Sequence, residues 1–313
     1  MISPKREFCI IDVETTGLFP GPKGKDKIIE FAAIRTNLEG ETLGKYSTLI
    51  NPCRDIGPTH IHGIRSKDVK NAPTFEEISG NIINFISDSI IVGHNVNFDL
   101  RFLRWEFLCL NFELPEFPRL CTMSLSKKVE PNLPSRKLAD ICNYFNIPVN
   151  RAHTAIEDAE ATKELMSLCY KLLFNKNPKA SLAEIGVRGG KLKKVSAKNL
   201  PVNGAPLQRD KSLDKSEEKN SLISKMISKL PTEIVREENP DIDEYLLLID
   251  RVLEDRIITE EEIEQLNIFA EHLGLTRDQA IAANYEYMRH MIRLALADNE
   301  GAPFLVEGGW RLL

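Results

Sequence analysis

Apolar residues run almost unbroken through positions 8–13, FCIIDV, as in a strand with both faces covered, where neither side meets water. Two further segments, 28–34 and 45–50, read as a second and a third strand. The stretch Gly17–Lys27, rich in Gly, Pro and Lys, is the loop between the first two. The period then changes from strand to helix. Thr74 and Glu77 stand at capping-box spacing ahead of Ile78, Ile82, Phe85 and Ile86, which fall on one helical face. Positions 90–93 predict a short strand, followed by helices over about 97–110 and 136–145, the latter closed by Asn146 and Pro148. Thr154 and Glu157 form another capping box, opening a helix that runs to about 174. Three early strands followed by alternating helices and strands predict an α/β domain built on a mixed sheet flanked by helices.

Beyond residue 180 the pattern changes twice. Residues 181–220 hold Gly, Pro, Ser, Asn and Lys, and their apolar residues follow no period, which is linker composition. Helical spacing returns in Tyr245, Leu248, Ile249, Val252 and Leu253. Thr259 and Glu262 open a second helix that ends at Gly274, and Thr276 and Gln279 open a third that runs to about 297. The expected organisation is an α/β domain over 1–180, a basic flexible linker over 181–220 and a small all-α domain over 221–313. No internal repeat is present.

Charge sharpens that division. The chain of 313 residues has a net charge of −5, but residues 1–180 carry +1, 181–220 carry +4 and 221–313 carry −10. An acidic helical domain repels a phosphate backbone, so an unidentified protein partner is expected for it. All six cysteines and twelve of the fourteen phenylalanines precede residue 181, which places the aromatic core in the first part. The cysteines form no C-x-x-C pair and read as free thiols in a reducing cytoplasm. The first residues lack an apolar signal core, and no apolar run approaches the roughly 18–20 residues of a membrane span. Neither secretion nor a membrane partner is expected.

Four acids occupy positions that fold alone explains poorly. Asp12 and Glu14 close the first strand two residues apart and so share a face of the sheet. Asp99 falls in the first turn of a helix, three and four residues before Phe102 and Leu103. Asp158 falls in the first turn of the 154–174 helix, and His153 immediately precedes Thr154 at its start. If the four acids converge, their repulsion favours protonation unless cations neutralise them. All-oxygen donors suit Mg²⁺ or Mn²⁺ rather than zinc, and two such ions can clamp the attacking and leaving oxygens of a phosphodiester. An imidazole at 153 suits a proton acceptor at neutral pH.

Residues 12–18 (DVETTGL), 92–103 (VGHNVNFDLRFL) and 153–159 (HTAIEDA), with a His-x4-Asp spacing in the last, resemble the three motifs of the DnaQ-like, DEDDh-type 3′–5′ exonucleases. That family is typified by the epsilon proofreading subunit of bacterial DNA polymerase III. The resemblance covers about residues 6–175. It implies a ribonuclease-H-like fold and two divalent ions, Mg²⁺ or Mn²⁺, on Asp12, Glu14, Asp99 and Asp158. It implies His153 as general base and release of 5′-mononucleotides from a 3′ end. It places Thr15, Thr16, His62 and Asn95 beside the 3′-terminal nucleotide and makes Phe98 an apolar wall for the bases, a contact that tolerates any sequence.

The expected substrate is therefore a single-stranded or frayed DNA 3′ end, in DNA repair, proofreading-like trimming or defence. An RNA 3′-end trimming enzyme and a catalytically silent nucleic-acid-binding adaptor are the alternatives. His60 and His94 read as structural, and Lys23, Lys25 and Lys27 as a solvated loop. Residues 253–262 weakly resemble part of a TerB-like helical module. Residues 265–269, QLNIF, resemble a sliding-clamp-binding pentapeptide, yet Leu266 and Phe269 share a helical stripe with Ile263 and Leu273 and so read as helix core.

Overall fold

The computed structural model describes residues 7–22, 25–37, 39–57, 59–133, 135–149, 154–176, 181–209 and 260–297, with 242, 245, 246, 248 and 249. The chain divides into two compact units, 1–216 and 217–313. In the first, β1 (Phe8–Thr15), β2 (Ile28–Thr36), β3 (Thr42–Leu49), β4 (Ile90–Gly93), β5 (Pro118–Cys121) and β6 (Arg188–Gly189) form one sheet in the order β3-β2-β1-β4-β5-β6. The pairs β1–β2, β2–β3 and β5–β6 are antiparallel, and β1–β4 and β4–β5 are parallel. Its longer helices are α3 (Phe75–Ile86), α4 (Val96–Cys109), α5 (Thr122–Val129), α6 (Leu138–Tyr144) and α7 (Ala155–Lys176). Single helical turns α1 (Thr59–His62), α2 (Ser66–Val69) and α8 (Leu182–Ile185) complete it. This is the mixed sheet flanked by helices that the residue pattern predicts, in keeping with the ribonuclease-H-like fold that the motif resemblance implies.

The unbroken apolar run of β1 has its explanation in two cores. Cys9, Ile11 and Val13 face one side with Ile78, Ile82, Phe102, Leu103 and Phe107 of α3 and α4. Phe8 and Ile10 face the other with Ile141, Ala155, Ala159 and Leu165 of α6 and α7. Alternate residues of one strand thus serve opposite helix layers. Phe102 is fully buried, its ring centroid 5.0 Å from that of Phe98. Phe102→Ala is expected to cost about 3–5 kcal/mol of stability in urea unfolding; a loss below about 1 kcal/mol would place Phe102 outside the core.

Several elements escape a reading of pattern alone. β5 is four residues long and begins with Pro118, so it offers no alternation to detect, and α5 follows it directly. Residues 181–209 have the composition of a linker, yet they are docked on the first unit. Ser181 caps α8 and β6 pairs with β5. Val195 N–H donates to the Ser87 hydroxyl at 2.7 Å, and Leu207 bridges to Leu49. Val195, Leu200 and Leu207 each enter a core separately, as knobs on an extended strap, which is why they show no period.

In the second unit, α9 (Glu260–His272) and α10 (Arg277–Ala297) match the predicted helices. The Thr276 hydroxyl accepts from Gln279 N–H at 3.3 Å, and the Gln279 side-chain oxygen accepts from Thr276 N–H at 2.9 Å, completing the box. Tyr245, Leu248 and Ile249 are helical and buried, while Val252, Leu253, Thr259 and most of the TerB-like run lie outside the described residues. Leu266 and Phe269 are buried, as helix-core residues are. No described helix is long and apolar enough to cross a membrane.

Candidate active site

The site forms where the sheet opens. β1 pairs with β4 only through Phe8–Ile90, Cys9–Ile91 and Ile10–Val92; β4 stops at Gly93 while β1 runs on to Thr15. Strand order also reverses here, since β2 and β4 lie on opposite sides of β1. Such a switch point leaves a crevice beyond the strand ends. Within β1, Asp12 and Glu14 are the two positions that are not fully buried. They face the α7 layer, on the same side as Phe8 and Ile10.

α7 delivers the third acid. The backbone N–H of Asp158 donates to Thr154 O at 3.0 Å, which sets Asp158 in the helix's first turn. Asp12, Glu14 and Asp158 each offer a carboxylate oxygen, and the three oxygens lie within 4.8 Å of one another. Asp99 arrives from the other helix layer. It is 3% exposed, and its Oδ1 accepts the Val13 N–H at 3.1 Å, midway between the two β1 acids. That bond supplies a partner for β1 where β4 has ended. Gly93 permits the approach: a Cβ there would stand 3.2 Å from Asp99 Oδ2 and 3.1 Å from the Val96 Cα. Asn95 makes the turn into α4 in the left-handed region, at φ 68°, a conformation Asn tolerates better than most residues.

Three carboxylates so close resist sharing the site as anions. At an effective dielectric of about 20, two unit charges 4.8 Å apart repel by about 3.5 kcal/mol. Half-buried oxygens with no nitrogen or sulfur among them fit a hard divalent cation, so the donor set agrees with the Mg²⁺ or Mn²⁺ expected for it. His153 lies outside the described residues.

The remaining expected positions are placed as follows. Thr15 and Thr16 are buried at the end of β1, and their hydroxyls are engaged locally. Thr15 donates to Gly17 O at 2.6 Å; Thr16 donates to Asp26 Oδ1 at 3.0 Å and accepts from Lys27 N–H. His62 is 2% exposed and its Nδ1 accepts from Ile64 N–H at 3.1 Å. Phe98 is 6% exposed, packed against Phe102, with the Arg101 guanidinium 5.4 Å from its ring centre. Its place is in the core beside Asp99. His94 bonds Thr122 Oγ1 and Arg136 O, a structural tie between α4's turn and α5. Lys27 is fastened to the buried Glu106, whose carboxyl burial pushes up while the Lys27 ammonium at 2.8 Å pulls it back.

One acid at the site was not singled out from the sequence. Glu30 stands opposite Glu14 in the β1–β2 register, is buried, and accepts the Ala155 N–H at the start of α7 at 3.3 Å. The capping box expected from Thr154 is thereby replaced: among the described residues the Thr154 hydroxyl has no partner, and Glu30 meets the helix end instead. The available signal was a carboxylate inside the apolar run 28–34.

Residues 9–166 match the RNase_T family of exonucleases. The chain belongs to that family. This bears out the DnaQ-like exonuclease resemblance of the three motifs. The family match stops short of the helical unit. Among curated relatives the chain is similar to the 3′–5′ exonuclease DinG of Bacillus subtilis, 35% identical over 161 residues, covering 50% of this chain and 17% of that protein. It is also similar to the PolC-type DNA polymerase III of Caldanaerobacter subterraneus subsp. tengcongensis, 31% identical over 205 residues, 63% of this chain and 14% of that one. The chain thus spans under a fifth of the length of either relative. Among solved structures, exonuclease X in complex with 5′ overhanging duplex DNA is 24% identical with a TM-score of 0.42, covering 57% of this chain and 98% of that one.

Proposed function

We propose that the first unit is a metal-dependent 3′–5′ exonuclease that hydrolyses the terminal phosphodiester of a DNA 3′ end and releases 5′-mononucleotides. The observation that carries this reading is the trio Asp12, Glu14 and Asp158, with oxygens within 4.8 Å, beside Asp99 on the open edge of β1. In it the four acids hold two divalent ions, Mg²⁺ or Mn²⁺. When bound, such ions supply Lewis acidity and lower the pKa of a coordinated water.

The chain's own residues do the rest. Asp99 holds β1 at Val13, past the end of β4 and between Asp12 and Glu14. α7 carries Asp158 to them from the same face. His153, just before α7, takes the proton of the attacking water. Thr15, Thr16, His62, Asn95 and Phe98 shape the rim for the terminal nucleotide: Thr16 by fastening the 17–27 loop, His62 and Asn95 by setting turns, and Phe98 as an apolar support. DNA is favoured over RNA because the relatives bear the names of a 3′–5′ exonuclease and DNA polymerases. The six free thiols accord with a cytoplasmic setting. The acidic second unit is assigned to a protein partner rather than to nucleic acid.

The test uses 5′-labelled single-stranded DNA, duplex DNA and RNA of one sequence. DNA is expected to shorten one nucleotide at a time from its 3′ end, to stop with EDTA and to resume with excess Mg²⁺ or Mn²⁺. Faster shortening of RNA would transfer the proposal to RNA trimming. Binding without shortening would support the adaptor reading and overturn this one.

A further inference from the structure

Residues 188–209 lie beyond the family-matched part of the chain and lead back to the site. From β6 the segment passes α3, where Gly80 N–H donates to Pro201 O and Gly204 N–H donates to Glu77 O, both within 3.0 Å. At Leu207 it joins the sheet edge, donating to Thr48 Oγ1 and accepting from Leu49 N–H. Two residues later the Arg209 guanidinium reaches inward. Its Nη1 is 3.3 Å from Glu30 Oε2, and its Nη2 donates to the His62 carbonyl at 2.6 Å. The pair is well covered, with 14% of the Arg209 side chain and 4% of the Glu30 side chain exposed. Gly63, at φ 68°, leaves room for it, since a Cβ there would stand 2.8 Å from Nη2.

Two engagements of Glu30 bear on the site. The same Oε2 that faces Arg209 accepts the first N–H of α7, the helix that carries Asp158. Glu30 also neighbours Glu14 across the β1–β2 pair, so its charge adds to an already crowded set of carboxylates. A buried carboxylate at a helix N-terminus is stabilised as an anion by the helix end and by an opposing cation, and Arg209 supplies one. A guanidinium can satisfy Glu30 and the His62 carbonyl together because its N–H groups diverge in a rigid plane.

We propose that Arg209 and Glu30 are positioning residues that set the start of α7, and with it Asp158, against Asp12 and Glu14, so that the strap 188–209 completes the metal site from outside the family-matched core. This rests on the carboxylate site proposed above. Arg209 touches neither substrate nor reacting atoms in this account; it acts through Glu30.

The experiment measures Mn²⁺ affinity of the full chain by titration calorimetry, with kcat and KM on single-stranded DNA, for Arg209→Met, Glu30→Gln, the double variant and Asp12→Asn. Loss of a residue that orients a metal ligand typically weakens binding by ~10–100-fold, and that loss is expected for Arg209→Met with kcat lowered more than KM is raised. The double variant is expected to lose no more than the worse single variant, since both act through one link. Mn²⁺ affinity within about threefold of wild type in Arg209→Met, or additive losses in the double variant, overturns the proposal. Should Arg209→Met not fold, Arg209→Lys is judged by the same threshold. Asp12→Asn separates the two levels. If it leaves Mn²⁺ binding unchanged, the carboxylate-site reading itself fails. If it alone weakens binding, that reading stands and the role of Arg209 falls.

Discussion

Asp12→Ala is expected to lower exonuclease turnover by roughly 10³-fold or more, because loss of a ligand removes several kcal/mol of charge stabilisation at about 1.4 kcal/mol per factor of ten. The site makes a second, opposite expectation. Asp12 sits within 4.8 Å of two other carboxylates, so removing it relieves repulsion in the metal-free protein. In EDTA the unfolding midpoint of the variant is expected to hold or to rise, by about 2–4 °C for each kcal/mol relieved in a domain of this size. The stabilisation that wild type gains from excess Mg²⁺ or Mn²⁺ is expected to shrink in the variant. An acid that served the fold alone would show the reverse, with lowered stability and little change in turnover. Turnover within tenfold of wild type would remove Asp12 from the site.

His153→Ala is expected to reduce turnover by ~10²–10⁴-fold while the affinity for a single-stranded DNA 3′ end stays within about threefold. The reasoning is chemical. A general base acts on the proton of the attacking water in the transition state and contributes little to holding the substrate. The pH profile carries the sign. The base works as neutral imidazole, so wild-type kcat is expected to rise as pH increases through the imidazole range, and that rise is expected to vanish in the alanine variant. A profile that keeps its ascending limb without His153 would assign the base to another group. The two variants separate ligand from base, since the response to added metal is expected to shrink in Asp12→Ala and to be kept in His153→Ala.

The readable parts of this protein are those governed by local chemistry. The β1 run is apolar on both sides because both sides are covered, and that shows in Phe8–Ile11 and Val13, interrupted by Asp12 alone. Thr74 with Glu77 and Thr276 with Gln279 form boxes whose partners are three residues apart, so spacing alone suffices. Asp12 and Glu14 share a face by the two-residue period of a strand. The motifs around Asp99 and Asp158 announce their acids because each opens a helix.

Other features depend on distant pairings. Thr154 has the sequence of a helix cap, yet the nearby Glu30 carboxylate, 125 positions away along the chain, meets the Ala155 N–H in the folded state. The strap 188–209 has linker composition, and its docking follows from where β5, α3 and β3 leave edges and pockets for single side chains. Phe98 reads from the motif as an apolar wall for the bases, and its burial against Phe102 follows from how α4 lies on the sheet.

Residue order thus decides the family, the strands and helices with strong periods, and the four acids and the histidine of the proposed chemistry, because those properties are written in spacings of two to five residues. Tertiary structure decides which acids meet within 4.8 Å, that Asp99 occupies the edge β4 leaves open, and that Arg209 reaches Glu30 from the far end of the unit. Those are consequences of strand register and sheet order. They pair residues 86 to 179 positions apart, and no local pattern carries that information.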